Sequence, residues 1–114
     1  MFPKKYEWVK IAGSPWEIPF SGDNLAGIEV NGKNICIGKK GNDIFACAAF
    51  CPHAGGILAK GHIDSFNNIV CPVHKYRFNM KTGYNSSNEG YFLKTYLVEK
   101  RPDGLYVRLE AEEQ

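Results

Sequence analysis

The chain has 114 residues, which suits one domain with one modest core and leaves little room for a second. Fourteen Lys and Arg against twelve Asp and Glu leave a formal charge of +2, scattered in short pairs such as Lys39-Lys40 and Lys100-Arg101, a pattern of solvated turns rather than of a nucleic-acid-binding stripe. No run of about 18 apolar residues is present to span a membrane, and residues 1–7 carry charges with no apolar stretch after them, unlike a secretory signal.

In chain order, residues 6–12 (YEWVKIA) are rich in β-formers and partly alternate, the pattern of a first strand. A short apolar run at 28–30 leads into Asn31-Gly32, a strong hairpin signal, and a strand resumes at 33–38 (KNICIG). The turn Lys40-Gly41-Asn42-Asp43 returns the chain through 44–49, so residues 28–49 read as a three-stranded meander. Residues 54–60 hold at most one helical turn, because Gly55-Gly56 interrupts them. Segments 68–71 and 76–79 read as a small hairpin region closed near Lys81-Thr82-Gly83, and 85–90 (NSSNEG) as an exposed polar loop. Residues 95–99 (TYLVE) and 105–109 (LYVRL) flank Pro102-Asp103-Gly104, a turn signal. No window keeps a long 3.6-residue period. The expectation is a single all-β domain over residues 1–114, built of short strands, with loops carrying the unusual residues.

Without an export signal the expected location is the cytoplasm, where cysteines read as metal ligands or buried thiols ahead of disulfides. Two loops concentrate the chemistry: Cys51-Pro52-His53-Ala54-Gly55-Gly56 and Cys71-Pro72-Val73-His74-Lys75-Tyr76-Arg77-Phe78. Each supplies one thiol and one imidazole. Seventeen residues separate His53 from Cys71, enough to run out along a strand pair and return to the same tip. Three readings compete. A Cys51–Cys71 disulfide leaves both histidines without a role. Zinc suits two Cys and two His, but its sites usually present Cys-Cys and His-His pairs, not one of each per loop. An iron–sulfur cluster gives the mixed ligation a specific meaning, because in a Rieske centre two His replace two Cys on one iron.

The pattern C-x-H, seventeen residues, C-x-x-H resembles that of the Rieske ferredoxins and of the Rieske domains of ring-hydroxylating oxygenases. The flanks CPHAGGIL and CPVHKYRFNMKTG are similar to the family's two cluster-binding loops, including Gly55, Leu58 and the Phe78…Thr82-Gly83 ending. The resemblance is sharp over residues 45–84 and thin outside them. It implies one [2Fe–2S] cluster per chain, with Cys51 and Cys71 on one iron and His53 and His74 on the other. It also implies a fold of three small antiparallel sheets with the cluster at one end, in a tip made by the two loops. Gly55 and Gly56 suit a close cover over such a cluster, and Pro52 and Pro72 stiffen the loops. High-potential members carry an extra Cys in each loop; here Gly56 and Val73 fill those places. They also carry Ser and Tyr hydroxyls where this chain has Tyr76 and Phe78, so the resemblance implies a low potential within the Rieske range.

The function implied is a one-electron carrier between a reductase and an oxygenase or similar terminal enzyme. It is not itself an enzyme, since the chain is too short to add a mononuclear iron domain. The expectation is a monomer with redox-protein partners and with neither nucleic acid nor membrane. The alternatives are a small subunit of a nitrite reductase-like complex and a redox-sensing module. Tyr76 and Leu58 are candidates for an apolar docking surface or for packing against the loops. Cys36 and Cys47 read as buried thiols on adjacent strands, and His62 as a surface or turn histidine.

Overall fold

The computed structural model describes residues 5–52, 55–86 and 90–111. The expected meander is present and sits at the centre of the molecule: β2 (Leu25–Val30), β3 (Lys33–Lys40) and β4 (Asp43–Ala48) pair antiparallel in sequence order. Asn31 and Gly32 both take positive φ, as a tight hairpin between right-twisted strands demands. At one edge β4 pairs with the short β8 (Thr95–Tyr96), completing a four-stranded sheet.

The run KNICIG explains why this sheet is the middle layer. Side chains alternate across a strand, and β3 is buried on both faces. Ile35 and Ile37 enter one apolar cluster with Ala26, Val30, Leu105 and Val107. Cys36 enters a second with Leu25, Cys47, Leu58, Ile69 and Phe78. The domain therefore has two adjoining cores, one on each face of the central sheet, where the chain length alone suggested one.

The first core is closed by β1 (Tyr6–Ala12), β9 (Val98–Arg101) and β10 (Gly104–Glu110), ordered β1-β10-β9. The segment TYLVE is not one strand. It breaks at Leu97, which is exposed, so that Thr95–Tyr96 joins the central sheet while Val98–Arg101 turns into the other. The second core is closed by β5 (His62–Ile63), β6 (Asn68–Val70) and β7 (Arg77–Asn79). Residues 54–60 could hold one helical turn at most, and a 3₁₀ turn lies at Leu58–Lys60; Ala54 lies outside the described residues. Asn85 departs from the exposed-loop reading: it is nearly buried, bridges Phe78 and donates from Nδ2 to the Arg77 carbonyl at 3.0 Å. Residues 87–89 of that segment lie outside the described residues. No helix among the described residues is long and apolar enough to cross a membrane.

Asp64 braces the third sheet. Its Oδ1 accepts from the backbone N–H of Phe66 at 2.9 Å and of Asn68 at 3.0 Å, and its Oδ2 accepts from Asn68 Nδ2 at 3.2 Å and lies 3.8 Å from Arg77 Nε on β7. Burial raises the carboxyl's pKa, but the Asn68 and Phe66 donors and the Arg77 charge outweigh it, and the net direction is down. The folded pKa lies below the unfolded one, so this stabilisation is present above the usual carboxylate range of about 4 and is lost as pH falls through the folded value. Asp64→Ala is expected to lower unfolding free energy at pH 7 by about 1–3 kcal/mol. Urea unfolding should show that gap shrinking below about pH 4, and a gap that is independent of pH would contradict the assignment.

Candidate metal centre

Both cysteines of the two motifs sit at strand exits above the second core. Cys51 follows β4 by three residues, and Cys71 directly follows β6. The backbone then does the same thing twice. Cys51 N–H donates to the Gly56 carbonyl at 2.8 Å, and Gly55 N–H donates back to the Cys51 carbonyl at 2.9 Å. Cys71 N–H donates to the Tyr76 carbonyl at 2.8 Å, and Lys75 N–H donates to the Cys71 carbonyl at 3.0 Å. The loops share their turn chemistry as well, since the residue four places after each cysteine is left-handed, Gly55 at φ 69° and Lys75 at φ 62°.

These matched loops bring their cysteines together. Cys51 and Cys71 are almost fully buried and unbridged, and the Cys51 thiol lies close enough to that of Cys71 to bear on its ionisation. Burial pushes the Cys71 thiol up; N–H donors from Val73 and His74 aim at its sulfur and oppose that, while the facing Cys51 thiol adds to it. Gly56 is required by proximity: a Cβ there would stand 2.9 Å from Cys71 Sγ and 2.6 Å from Val73 Cγ2. Gly56 and Val73 thus face each other across the loops and cannot form a disulfide.

His74 is exposed, with its ring 6.2 Å from that of Tyr76, which in turn lies 5.7 Å from Tyr91. His53 lies outside the described residues. Among the described residues no three His, Cys, Asp or Glu side chains converge on one metal position. A Rieske-type cluster would not ask for that, because each of its two irons would take only two protein ligands. A facing, unbridged thiol pair, sulfur-directed N–H groups and a glycine whose side chain would collide with sulfur all fit a [2Fe–2S] group at this tip.

Of the two readings open for Leu58 and Tyr76, docking or packing, the geometry favours packing. Leu58 is fully buried in the second core and offers no docking surface. Tyr76 is half-buried and partly packed against the same core. The exposed apolar side chains of the loops are instead Phe50, Ile57 and Val73, with Phe50 and Ile57 bridged at the base of the first loop. Their place beside the ligand motifs was readable, whereas their exposure depends on which neighbours turn inward. His62 is exposed on β5, as expected of a surface histidine. Cys36 and Cys47 face each other across β3 and β4 and are buried; the Cys36 thiol, then burial, pushes the Cys47 thiol well up.

Comparison with known proteins gives a family match to the Rieske [2Fe-2S] domain over residues 7–91. Cholesterol 7-desaturase nvd of Bombyx mori is 28% identical over 96 residues, covering 78% of this chain and 21% of that protein. The ferredoxin component of naphthalene 1,2-dioxygenase/salicylate 5-hydroxylase systems of Ralstonia sp. is 34% identical over 60 residues, covering 53% of this chain and 57% of that one. The matches thus span about a fifth and just over half of these relatives' lengths. The ferredoxin of carbazole 1,9a-dioxygenase from Nocardioides aromaticivorans IC177 superposes with a TM-score of 0.75 at 22% identity, over 88% of this chain and 95% of that one. A putative NADH-dependent nitrite reductase small subunit from Mycobacterium tuberculosis does so with 0.78 at 16% identity, over 94% and 98%. At these identities the structural matches speak for the fold.

If Gly56 is held by the sulfur and Val73 behind it, Gly56→Ala must spread the two loops. Expected is a loss of about 1–3 kcal/mol in unfolding free energy, measured on the iron-free chain. An unchanged value would mean that the loops part without cost.

Proposed function

The chain belongs to the Rieske [2Fe-2S] domain family, and from that premise we propose that it is a one-electron carrier rather than a catalyst, passing electrons from a reductase to an oxygenase-type or other redox enzyme. The observation that carries the reading is the pair of matched loops that hold Cys51 and Cys71 side by side, buried and unbridged. In this reading Cys51, His53, Cys71 and His74 hold the cluster. When bound, the cluster supplies one-electron transfer between diferric and mixed-valence states. The residues do the rest. Gly56 admits the close approach of the loops, Val73 and His74 N–H groups offer donors to the Cys71 sulfur, and the second core keeps water from the thiol side. The exposed side of His74, with exposed Val73 next to it in the second loop and exposed Phe50 and Ile57 at the base of the first, is the face a partner would cover. Residues 1–114 act as one domain, a monomer in the cytoplasm, bound to neither membrane nor nucleic acid.

The Ralstonia ferredoxin supports this role, since it is a component of dioxygenase and hydroxylase systems. The shared fold keeps the nitrite reductase-like small subunit as the alternative. The four-residue donor set favours the carrier; co-purification with a large sirohaem protein would favour the other.

Anaerobic reconstitution should load two irons and two sulfides per chain, with the visible and reduced-state EPR signature of mixed Cys/His ligation. Substituting Cys51→Ser or His74→Ala should each abolish that signature. Zinc uptake with no iron signal would sink the proposal.

The loops also bear on potential. Gly56 and Val73 exclude a disulfide beside the cluster, Phe78 is a fully buried hydrocarbon with no hydroxyl to offer, and the Tyr76 ring packs between His74 and Tyr91. Fewer hydrogen bonds to the sulfurs stabilise the reduced form less. Redox titration should place the midpoint towards the negative end of the range of about −150 to +300 mV; a value well above zero would refute this.

A further inference from the structure

The cations that look scattered along the chain are gathered by the fold beside the second loop. His62, Val70 and Arg77 lie opposite one another across β5, β6 and β7, so their side chains share one sheet face. Together with Lys75 and Phe66 they line a groove of about 580 Å³. A second groove of about 260 Å³ adjoins it at His62 and brings in Lys39 and Lys40 from the end of β3. Lys40 Nζ donates to the Asp64 carbonyl at 2.9 Å, which pins the two grooves together. Among the residues lining the two grooves, the carboxylates facing these cations are Asp64, already engaged by Arg77 and two backbone N–H groups, and Asp23. Among the described residues none of Lys39, Lys40 and Lys75 is in an ion pair.

Lys75 is the second observation. It occupies the left-handed position that the first loop fills with Gly55. A side chain there costs conformational energy that glycine does not, so the matched loop shows what backbone stability alone would choose. The lysine is held where it lines the groove, next to His74 in the chain. Phe66 stands at the groove with 79% of its surface exposed, presented by the Asp64-braced turn.

We propose that this groove, lined by His62, Phe66, Lys75 and Arg77 and continued by Lys39 and Lys40, recognises a carboxylate-rich surface of the redox partner, with Lys75 setting the preference for negative charge. The inference rests on the carrier reading for the identity of the partner, while the charge preference belongs to the surface itself. A cationic field beside the exit face attracts an acidic partner and orients it before contact.

The test uses the full chain, iron-loaded, and a fluorescein-labelled decaglutamate peptide followed by anisotropy at low salt. Lys75→Gly is compared with Lys33→Ala, which removes the same charge at the distant β2–β3 hairpin. Lys75→Gly is expected to weaken peptide binding about three- to fivefold relative to Lys33→Ala, while raising the melting temperature by relieving the left-handed lysine. Added salt should abolish the difference. Equal weakening by both variants would mean that net charge alone binds the peptide and would overturn the proposal. So would tighter, Lys75-dependent binding of a ten-nucleotide single strand, which would make the surface a nucleic-acid site. Loss of the cluster spectrum in the unsubstituted chain would instead strike at the carrier reading, and peptide binding by the metal-free chain would still report on the groove.

Discussion

Two cysteines that must lie together without bonding to each other are the constraint around which this molecule is arranged. Each is tied at both its amide and its carbonyl into a loop of fixed length, the N–H reaching five residues ahead and the carbonyl receiving the N–H from four ahead. That closure forces the residue four places on into the left-handed region, at Gly55 and at Lys75. It also turns the thiols inward, where each finds the other and the apolar surface of Leu58, Ile69 and Phe78. A thiol pair made this way is pre-organised before any ligand arrives, so little conformational entropy remains to be lost on binding.

The central sheet supplies the rigid base for that arrangement. Because β3 buries alternate residues on opposite faces, the Ile35 and Ile37 face welds the terminal strands to the middle layer, and the Cys36 face supports the loops. β4 and β6 each end at the edge of the second core, and each delivers one cysteine. The site and the second core therefore share residues. A cavity made at Leu58 or Phe78 would reduce stability and loosen the thiol geometry together.

How much of this was legible in the sequence follows from which interactions are local. Asn31-Gly32 and Gly41-Asn42 fix hairpins by their own backbone preferences, so the meander could be read directly. The two motifs were legible because donor type and spacing are chemical facts independent of fold. Pairing between distant segments was not: nothing in YEWVKIA announces that it will pair with GLYVRLE at the far end of the chain, and nothing in TYLVE marks Leu97 as the point where the chain changes sheets. Burial inside loops was equally hidden. Leu58 and Asn85 are turned inward, and Phe50 and Ile57 outward, by packing that only the assembled sheets define. The convergence of Lys39 and Lys40 with Lys75 and Arg77 is a consequence of sheet order, whereas composition alone points to dispersed charge.

The second core contains two facing thiol pairs, and their difference shows what makes one of them a candidate site. Cys36 and Cys47 occupy directly paired positions on β3 and β4, where the neighbouring amides belong to the ladder between the strands. The Cys47 thiol is held neutral by the Cys36 thiol and by burial, with no backbone donor opposing them. Around Cys71 burial acts the same way, but the loop leaves the N–H groups of Val73 and His74 pointing at sulfur. Those amides favour negative charge on the sulfur, and one of them belongs to a residue that carries an imidazole, a combination that a regular strand cannot offer. Irregular backbone is thus the functional ingredient: the same residue type, equally buried and equally paired, is packing material on a strand and a ligand candidate in a loop.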